Sequence, residues 1–439
     1  MNTIEKYKKY VNTAMVEKVE PVVISQASGA SITDVDGKTY IDCFAGISVV
    51  NAGHCNPKVI AAAKAQMDKF VHCCTYVYYS ARAGEFAKRL AEVTPGRLQK
   101  SFFGSGGAEA IEGALRLAKQ FTKRKELVCL TMSFHGRSVG TLSITGNRGR
   151  KKGAGPYLSG VAFAPAPYCY RCPFKLTYPG CGCACAEFMD HVLKYQTAGD
   201  VAAFISEPVM GEGGILVPPP EYLKIATDIV RRDGGLYIAD EVQCGYGRTG
   251  KLFAVEHYGA EPDILCAAKG IADGFPLSAF IARREVAAAF TPGDHLSTFG
   301  GNPVSCAAAL ANLDVMRDED LPGNAARRGD QIMTRLRAFQ QICPLVGDVR
   351  GLGLMIGVEL VKDAARTPAP DEATRVRELC RENGVLIGLG GVVGNVIRIQ
   401  PPLTITEAQA HRACDVITDV LRRVAAGATA GACVLHAQR

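Results

Sequence analysis

The chain has 439 residues, 48% of them hydrophobic, and its 50 basic and 43 acidic side chains give a formal net charge of +7. This length allows a large buried core, and two closely packed domains suit it better than one or four. The basic residues are dispersed, and we interpret their densest run, residues 148–152, as a solvated loop rather than a nucleic-acid patch. No stretch approaches the ~20 apolar residues of a membrane helix. Neither a nucleic-acid nor a membrane partner is therefore expected.

The predicted elements begin with a hairpin in the first 50 residues, which turns at Asp36-Gly37. From about residue 57, helical patterns alternate with short apolar runs, which predicts a mainly parallel sheet with helices on both faces. After about residue 325 the pattern becomes that of a smaller α+β unit. Helices are predicted at 57–70, 81–93, 107–122, 219–233, 324–340, 371–383 and 406–424, and strands at 100–103, 127–130, 202–205, 236–239, 264–267, 354–360 and 396–399.

We therefore predict an α/β protein of two domains. Residues 1–55 form the N-terminal part of a small domain, residues 56–325 form the large domain, and residues 326–439 complete the small domain. A cysteine-rich insertion occupies residues 168–186 of the large domain. In an open parallel sheet, ligands bind beyond the carboxyl ends of the strands, so a site is expected there.

Asp240 and Lys269 are the most informative residues in this sequence. Asp240 ends an apolar strand-like run, and Lys269 follows 29 residues later in a loop of small residues. Pyridoxal phosphate (PLP) needs such a pair, because a lysine amine forms a Schiff base with it and an acid keeps its pyridine nitrogen protonated. Alone, each residue is more simply interpreted as a strand-end acid or a surface lysine. The neighbouring motifs therefore decide whether the two residues form a cofactor site.

Two strand-to-helix or strand-to-loop turns could hold parts of such a cofactor. The glycine-rich turn at residues 102–111 allows backbone N–H groups to approach a phosphate at a helix start, although a tight connection is the simpler interpretation. In residues 133–137, Phe134 could stack on a planar ring and Arg137 could bind a carboxylate. A surface loop with an incidental arginine is the alternative there.

Two glutamates follow the predicted strand at residues 202–205, which comes before the strand that ends at Asp240. Glu207 ends an apolar run, and Glu212 lies in a glycine-rich loop directly after it. Both are expected near the carboxyl edge of the sheet. A helix cap or a salt bridge is the alternative role for either acid.

Residues 238–250, with residues 256–259, residues 262–265 and Lys269, resemble the signature of class III aminotransferases. That family consists of PLP enzymes of fold type I and includes 4-aminobutyrate, ornithine and acetylornithine aminotransferases. The resemblance extends over nearly the whole chain. It implies a large, mostly parallel sheet of the seven-stranded type with helices on both faces, and a smaller α+β domain built from both termini. It also implies a PLP-dependent transaminase that is a homodimer with shared active sites, and the sequence leaves open whether two dimers pair into a tetramer.

The resemblance assigns roles to the cofactor residues one by one. Lys269 would carry the cofactor and move the proton between the donor carbon and the cofactor, while Asp240 would pair with the ring nitrogen. Thr298 would reach the phosphate from the partner subunit. The usual Asn-Ser of the phosphate motif is replaced by Ser105-Gly106. The other predicted cofactor contacts are Gly106, Gly107 and Ala108 at the phosphate, Phe134 and Val242 on the two ring faces, Gln243 at the ring hydroxyl, and His135 and Glu207.

Three residues indicate the substrate by the same resemblance. Arg398 matches the arginine that binds the carboxylate of glutamate or 2-oxoglutarate, Glu212 matches the acid that neutralises it, and Arg137 matches a distal carboxylate binder. Together they favour an ω-amino acid such as 4-aminobutyrate or β-alanine as donor and 2-oxoglutarate, pyruvate or glyoxylate as acceptor. A racemase or decarboxylase on the same scaffold is the alternative, as are an ornithine or acetylornithine type and a non-catalytic metal-binding or interaction protein.

The cysteines of the insertion suggest a second, separate hypothesis. The first ten residues lack the apolar segment of a secretory signal, so we expect a cytoplasmic protein in which the 17 cysteines are thiols or metal ligands. Five of them could supply thiolates to zinc or an iron–sulfur cluster. A reduced, partly buried loop is the favoured alternative. The five candidates are Cys169, Cys172, Cys181, Cys183 and Cys185.

Overall fold

The computed structural model describes residues 1–12 and 19–436, with side chains up to residue 427. In the described residues the strands form two seven-stranded sheets. The strands, in chain order, are β1 Ile24–Ser28, β2 Ser31–Asp34, β3 Thr39–Cys43, β4 Leu98–Gly104, β5 Glu126–Leu130, β6 Val161–Ala164, β7 Val201–Ser206, β8 Leu236–Asp240, β9 Ile264–Ala267, β10 Ser278–Arg283, β11 Val346–Leu352, β12 Met355–Leu360, β13 Val385–Gly390 and β14 Val396–Ile399.

Helices cover both sheets and connect their strands. The described helices are α1 Thr3–Tyr10, α2 Ala45–Ser48, α3 Pro57–Met67, α4 Ala81–Val93, α5 Gly107–Thr122, α6 Val139–Ser143, α7 Arg148–Lys151, α8 Ala184–Gln196, α9 Tyr222–Arg232, α10 Arg284–Ala287, α11 Pro303–Asp318, α12 Leu321–Gln340, α13 Pro370–Glu382 and α14 Glu407–His436. None of them is both long and apolar enough to cross a membrane.

Local sequence explains where several helices begin. Asn56 precedes Pro57 at the start of α3, and its side chain accepts hydrogen bonds from the backbone N–H groups of Lys58 and Val59. Asn302 and Pro303 repeat this arrangement at the start of α11. Asparagine satisfies free N–H groups at a helix start, and proline tolerates the first helical position because it needs no N–H partner.

The larger sheet has the strand order β4-β10-β9-β8-β7-β5-β6. Strand β10 runs antiparallel to both of its neighbours, and the other pairings are parallel. Along β7, Phe204 packs into the hydrophobic cluster on one face and Ile205 into the cluster on the other. Every β7 residue is buried, as expected for a central strand covered on both faces. The carboxyl ends of β4, β5, β7, β8 and β9 consequently meet at one edge.

The smaller sheet combines strands from both ends of the chain. Its order is β1-β2-β3-β13-β14-β12-β11, and β3 pairs in parallel with β13 through Ile41 and Val385. Its own hydrophobic cluster packs against α12, α13 and α14.

Many predicted elements agree with the structure, and some elements were not predicted. Helices α4 and α5 begin and end as predicted, whereas α14 continues to His436 instead of ending near residue 424. The edge strand β6, the antiparallel strand β10 and the helix α8 of the cysteine-rich region carry weak periodic patterns and were missed.

Candidate active site

A cavity of about 320 Å³ lies at the carboxyl edge of the larger sheet. Its wall comes from the loops that follow β4, β5, β7, β8 and β9, so residues far apart in sequence converge there. The predicted site residues that line it are Gly106, Gly107, Ala108, Phe134, His135, Glu207, Asp240, Val242, Gln243 and Lys269.

Asp240, at the last position of β8, is held in place from both of its oxygens. Its Oδ2 lies 2.7 Å from Nδ1 of His135, and its Oδ1 accepts a hydrogen bond of 3.1 Å from the backbone N–H of Val242. The side chains of Asp240 and His135 are both buried. The other ring nitrogen of His135, Nε2, is buried and has no hydrogen-bond partner among the described residues. The cavity wall therefore contains an oriented carboxylate and an unsatisfied polar atom.

Lys269 follows β9 and has a left-handed backbone with φ of 45°. For a residue other than glycine this conformation costs roughly 1–2 kcal/mol, so the surrounding structure must hold the lysine there. Burial lowers the pKa of the Lys269 ammonium, and the carboxylates of Asp240, Glu212 and Glu207 oppose that shift. A larger share of the amine is consequently neutral and nucleophilic than for an exposed lysine.

The glycine-rich turn after β4 leads directly into α5. Gly106 is the N-cap, and no side chain caps the helix. A Cβ on Gly107 would lie 2.9 Å from Cγ1 of Val242, so only glycine lets this turn approach the Val242 loop so closely. The uncapped N–H groups of the first turn, with the positive end of the helix dipole, suit a phosphate.

Glu207 connects two of the loops around the cavity. Its Oε1 accepts a 2.9 Å hydrogen bond from the backbone N–H of Phe134, and its Oε2 accepts one of 2.8 Å from that of Gly211. Burial raises the pKa of this carboxyl to about 7. Glu207 therefore fixes the Phe134 loop relative to the loop that contains Glu212.

Gln243 is also held in the wall of the cavity. Its Oε1 accepts a hydrogen bond of 3.3 Å from Nε2 of Gln400. A Cβ on Gly211 would come within 2.0 Å of the same oxygen. A glycine is therefore needed at position 211 for Gln243 to keep this orientation.

Glu212 forms two ion pairs next to the cavity. Its Oε1 lies 2.7 Å from Nη1 of Arg398, and its Oε2 lies 2.6 Å from Nη2 of Arg150. Burial alone would raise the pKa of Glu212, but the two arginines lower it to about 2. The charges of Glu212 and Arg398 act on the pKa of Lys269 in opposite directions, so this cluster lies within electrostatic range of that amine.

The contact with Arg150 was not predicted. Interpreting residues 148–152 as a solvated loop is wrong for Arg150, which packs against Glu212, while Arg148 and Lys152 are exposed. The two partners are 62 residues apart, and no local pattern in the sequence indicates that they meet.

Arg137 lies near the same cluster and is exposed to solvent. Its guanidinium sits 5.5 Å from the ring centroid of Phe134. Desolvation lowers its pKa, and the positive charge of Arg150 adds to that effect. The guanidinium stays charged, and a carboxylate bound there would offset the repulsion from Arg150.

Thr298 is exposed and does not line the cavity of its own chain. It lies among exposed apolar side chains in residues 70–79 and 296–299, which we call the apolar patch. The two segments of this patch are in contact, since the rings of His72 and Phe299 lie 5.4 Å apart between centroids and Thr75 donates a 2.7 Å hydrogen bond to the carbonyl of Gly300, directly after the second segment.

The five cysteines of the insertion line one small cavity of about 20 Å³. No group of histidine, cysteine or acidic side chains in residues 1–12 and 19–427 is arranged to hold a metal ion. The predicted zinc or iron–sulfur site is therefore not supported. Burial raises the pKa of Cys183 to about 12 and of Cys185 to about 11, so in the absence of a metal both are neutral thiols.

The insertion also packs against the smaller sheet. The buried carboxylate of Glu359, in β12, accepts hydrogen bonds from the Tyr168 hydroxyl and, at 2.6 Å, from Nε of Arg171. Arg350 pairs with the same glutamate at 2.8 Å and donates to the carbonyl of Gly214 at 2.7 Å. This network links the insertion to the loop that contains Glu212.

Comparison with known proteins places the chain in a family. The model "Aminotransferase class-III" matches residues 13–421. The chain belongs to the class III aminotransferases. It is a PLP-dependent transaminase, and its two sheets are those of fold type I. The sequence-based prediction of the family and the fold is thus confirmed.

Three curated relatives illustrate the range of the family. The chain is 41% identical to acetylornithine aminotransferase of Methanothermobacter thermautotrophicus, over 92% of this chain and 94% of the relative. It is 38% identical to leucine/methionine racemase of Thermococcus litoralis, over 97% and 96%. It is also 38% identical to 4-aminobutyrate aminotransferase of Mycobacterium leprae, over 91% of each. Relatives with different reactions are therefore about equally similar, and identity alone does not select the substrate.

A solved transaminase has the same fold. The PLP-bound form of an amine transaminase from an uncultivated Pseudomonas species superposes with a TM-score of 0.88 and 34% identity, covering 93% of this chain and 98% of that one. The cavity described above fits the same cofactor, because it combines an uncapped helix start, a buried and oriented carboxylate, a lysine of lowered pKa and an unsatisfied ring nitrogen.

Proposed function

We propose that this transaminase transfers the amino group of an ω-amino acid, such as 4-aminobutyrate or β-alanine, to a 2-oxo acid in two alternating half-reactions. The observation that carries the proposal is the buried ion pair between Glu212 and Arg398, whose charges both act on the Lys269 amine. The choice of donor follows from what that pair does to the charge of the pocket.

The cavity residues would hold PLP, which when bound supplies an electron sink for negative charge at the donor carbon. Lys269 would bind its aldehyde end and Asp240 its ring nitrogen. The start of α5 at Gly107 and Ala108 would receive its phosphate. Val242 and Phe134 would enclose its ring, and Gln243 would donate to its hydroxyl.

Lys269 would transfer the proton at the donor carbon. Its amine has a lowered pKa because it is buried, so it holds a proton less tightly than an exposed lysine and can both accept one and return it. Asp240 cannot rotate freely, since His135 and the backbone of Val242 fix its two oxygens. The acid that would face the ring nitrogen is thus oriented before any ligand arrives.

Glu212 would decide which substrate carboxylates the pocket accepts. With Arg398 neutralised by Glu212, a donor that has no carboxylate next to its amine leaves no buried charge unpaired. A 2-oxo acid has such a carboxylate, which would bind Arg398 in place of Glu212. Leaving Glu212 or Arg398 without its partner in the buried site would cost about 3–5 kcal/mol. Arg398 therefore needs a carboxylate partner both when the donor is bound and when the 2-oxo acid is bound. Arg137 would bind the carboxylate at the far end of the ω-amino acid.

We further propose a homodimer in which the apolar patch is the interface. A contiguous apolar surface of this kind on a soluble protein commonly marks an interaction site. Thr298 lies within the patch and outside its own cavity. A second copy of the chain would cover the patch and bring its own Thr298 to the phosphate end of the cavity.

A panel of amine donors, assayed with the PLP-loaded enzyme against 2-oxoglutarate, pyruvate and glyoxylate, tests the proposed donor class. We expect 4-aminobutyrate or β-alanine to react with higher kcat/KM than α-amino acids. N-acetylornithine belongs in the panel because its free amine is also terminal. Reaction of α-amino acids alone would overturn the proposal.

A racemase is the second candidate, because a racemase is among the relatives that match nearly the whole chain. Such an enzyme would convert one enantiomer of an amino acid into the other without any oxo acid. Chiral chromatography of leucine, methionine and alanine incubated without acceptor measures this directly. Loss of chirality at a rate comparable to amino transfer would favour the racemase.

A further inference from the structure

We propose that Arg150 is a positioning residue for substrate specificity, which keeps Glu212 paired when Arg398 binds the carboxylate of a 2-oxo acid. The inference rests on the proposed function, since it concerns the same exchange of carboxylates at Arg398. It adds a second partner for Glu212 and a reason why that exchange can occur in a buried site.

The two contacts of Glu212 use different oxygens. Oε1 faces Arg398 at 2.7 Å, and Oε2 faces Arg150 at 2.6 Å. Because the two arginines contact different oxygens of Glu212, the hydrogen bond to Arg398 can break while the one to Arg150 remains. A rotation about the terminal bonds of Glu212 would take Oε1 away from Arg398 while Oε2 stays with Arg150.

The charges around Glu212 make a second partner necessary. The carboxylate is buried, and Arg398 and Arg150 are its ion-pair partners among the described residues. If an incoming carboxylate takes Arg398, a Glu212 without Arg150 would be a buried and unpaired anion, which is strongly unfavourable. With Arg150 present, both carboxylates have a guanidinium each.

Arg150 is presented by a well-anchored turn. Asn147 caps the short helix α7 by accepting from the backbone N–H of Gly149, and its own N–H donates to the carbonyl of Ser133 at 3.1 Å. Lys151 donates to the carbonyl of Ser143 at 3.2 Å and lies 5.0 Å from the ring centroid of Phe163. The turn is therefore tied to the loop after β5, which also carries Phe134, the residue that would stack on the cofactor ring.

Arg150→Gln tests the inference, with Arg148→Gln as the matched control. Arg148 lies on the same turn, is exposed, and carries the same charge. In Arg150→Gln we expect the KM of the 2-oxo acid to rise roughly 10- to 100-fold, the loss that one charge-assisted hydrogen bond produces. The KM of the ω-amino donor should stay within about twofold, because Glu212 keeps Arg398 in that half-reaction. Arg148→Gln should resemble the wild type in both.

A double-mutant cycle separates this role from a general structural one. In the Glu212→Gln background, Arg150→Gln should have no further effect on the KM of the oxo acid, since Arg150 then has no Glu212 carboxylate to neutralise. Arg150→Lys, which keeps the charge, should lie between the wild type and Arg150→Gln. This variant also keeps the test valid if Arg150→Gln folds poorly.

Binding of glutarate, a dicarboxylate that cannot react, gives a readout that is independent of turnover. Isothermal titration of the PLP-loaded enzyme should show weaker glutarate binding in Arg150→Gln and unchanged binding in Arg148→Gln. Equal changes in both KM values, no change in either, or tighter glutarate binding would overturn the role of Arg150. The donor panel with the wild type reports on the proposed function separately, so failure of one is distinguishable from failure of the other.

Discussion

The cavity at the strand ends and the cysteine-rich insertion are both marked by sequence motifs, yet their polar groups are arranged differently. In the cavity, Asp240 is fixed by His135 and a backbone N–H, and Nε2 of His135 has no hydrogen-bond partner in the described structure. In the insertion, burial raises the pKa of Cys183 and Cys185. No group of the described side chains is arranged there for a metal.

The difference shows what turns a motif into a site. The cavity collects loops from five strands of a parallel sheet, so that groups distant in sequence point at one volume. The cysteines lie close together in sequence, but this proximity does not by itself create a metal site, because neighbouring cysteines can also pack as neutral thiols. Convergence of distant polar groups, rather than local density of one residue type, therefore indicates chemistry here.

Apart from loss of Lys269 itself, the largest effect within the cavity is expected for Asp240→Asn. The substitution removes the charge that would face the ring nitrogen and keeps the size of the side chain, so kcat should fall roughly 10- to 100-fold, as for one lost charge-assisted contact. PLP should also dissociate more readily, which absorbance after dialysis measures. Asp228→Asn, an exposed acid paired with Lys224, is the control. Unchanged turnover in Asp240→Asn would remove Asp240 from the mechanism.

Arg398→Gln should separate the two substrates. The KM of the 2-oxo acid should rise by about tenfold or more, because its carboxylate loses a guanidinium partner. The KM of the ω-amino donor should rise less, since that donor has no carboxylate at this position. Steady-state kinetics with both substrates varied measures the two values. An equal rise in both would contradict the assignment of Arg398.

The stability contributed by Glu212 should depend on pH. Its pKa is about 2 in the folded chain and ordinarily 4.5, so folding favours the carboxylate, a difference of about 3 kcal/mol at neutral pH. This stability is fully present above about pH 4.5 and is lost as the pH falls toward 2.

Thermal unfolding of the wild type and Glu212→Gln from pH 7 downward checks this expectation. The variant should be less stable at pH 7, and the difference should narrow below about pH 4.5. Glu92→Gln, at an exposed position, controls for the loss of one charge. A difference that does not change with pH would contradict the ion-pair account.

The smallest effect is expected in the insertion. Replacing Cys169 and Cys172 by serine should change turnover by less than about twofold, because surface substitutions rarely exceed about 0.5 kcal/mol. Metal analysis of the purified wild type should give well below one zinc or iron per chain. Stoichiometric metal in the wild type that is lost in the double variant would contradict the conclusion that the insertion, unlike the cavity, is not a binding site.

The sequence predicts the fold and the family because their signals are local. Asp240 ends a strand of continuous apolar residues, and the turn at Gly106 and Gly107 leads into a helix at the predicted position. Strand-end acids and glycine-rich turns follow from backbone geometry, and parallel strands bring them to one edge.

Other features could not be predicted, because they depend on tertiary contacts. The His135–Asp240 contact spans 105 residues and the Arg150–Glu212 contact spans 62. In the sequence Arg150 is one of several basic residues in a short run, and nothing there distinguishes it from Arg148. The metal hypothesis is not supported for the opposite reason, since close spacing in the sequence does not by itself arrange the side chains around a metal ion.

The most direct test of the account is to find which lysine carries PLP. Borohydride reduction of the PLP-loaded enzyme, followed by proteolysis and mass spectrometry, locates the cofactor on a single side chain. We predict that the reduced adduct is on Lys269 and nowhere else in the chain. An adduct on a different lysine, or none with a protein that retains full activity, would contradict the assignment of the strand-end cavity as the active site.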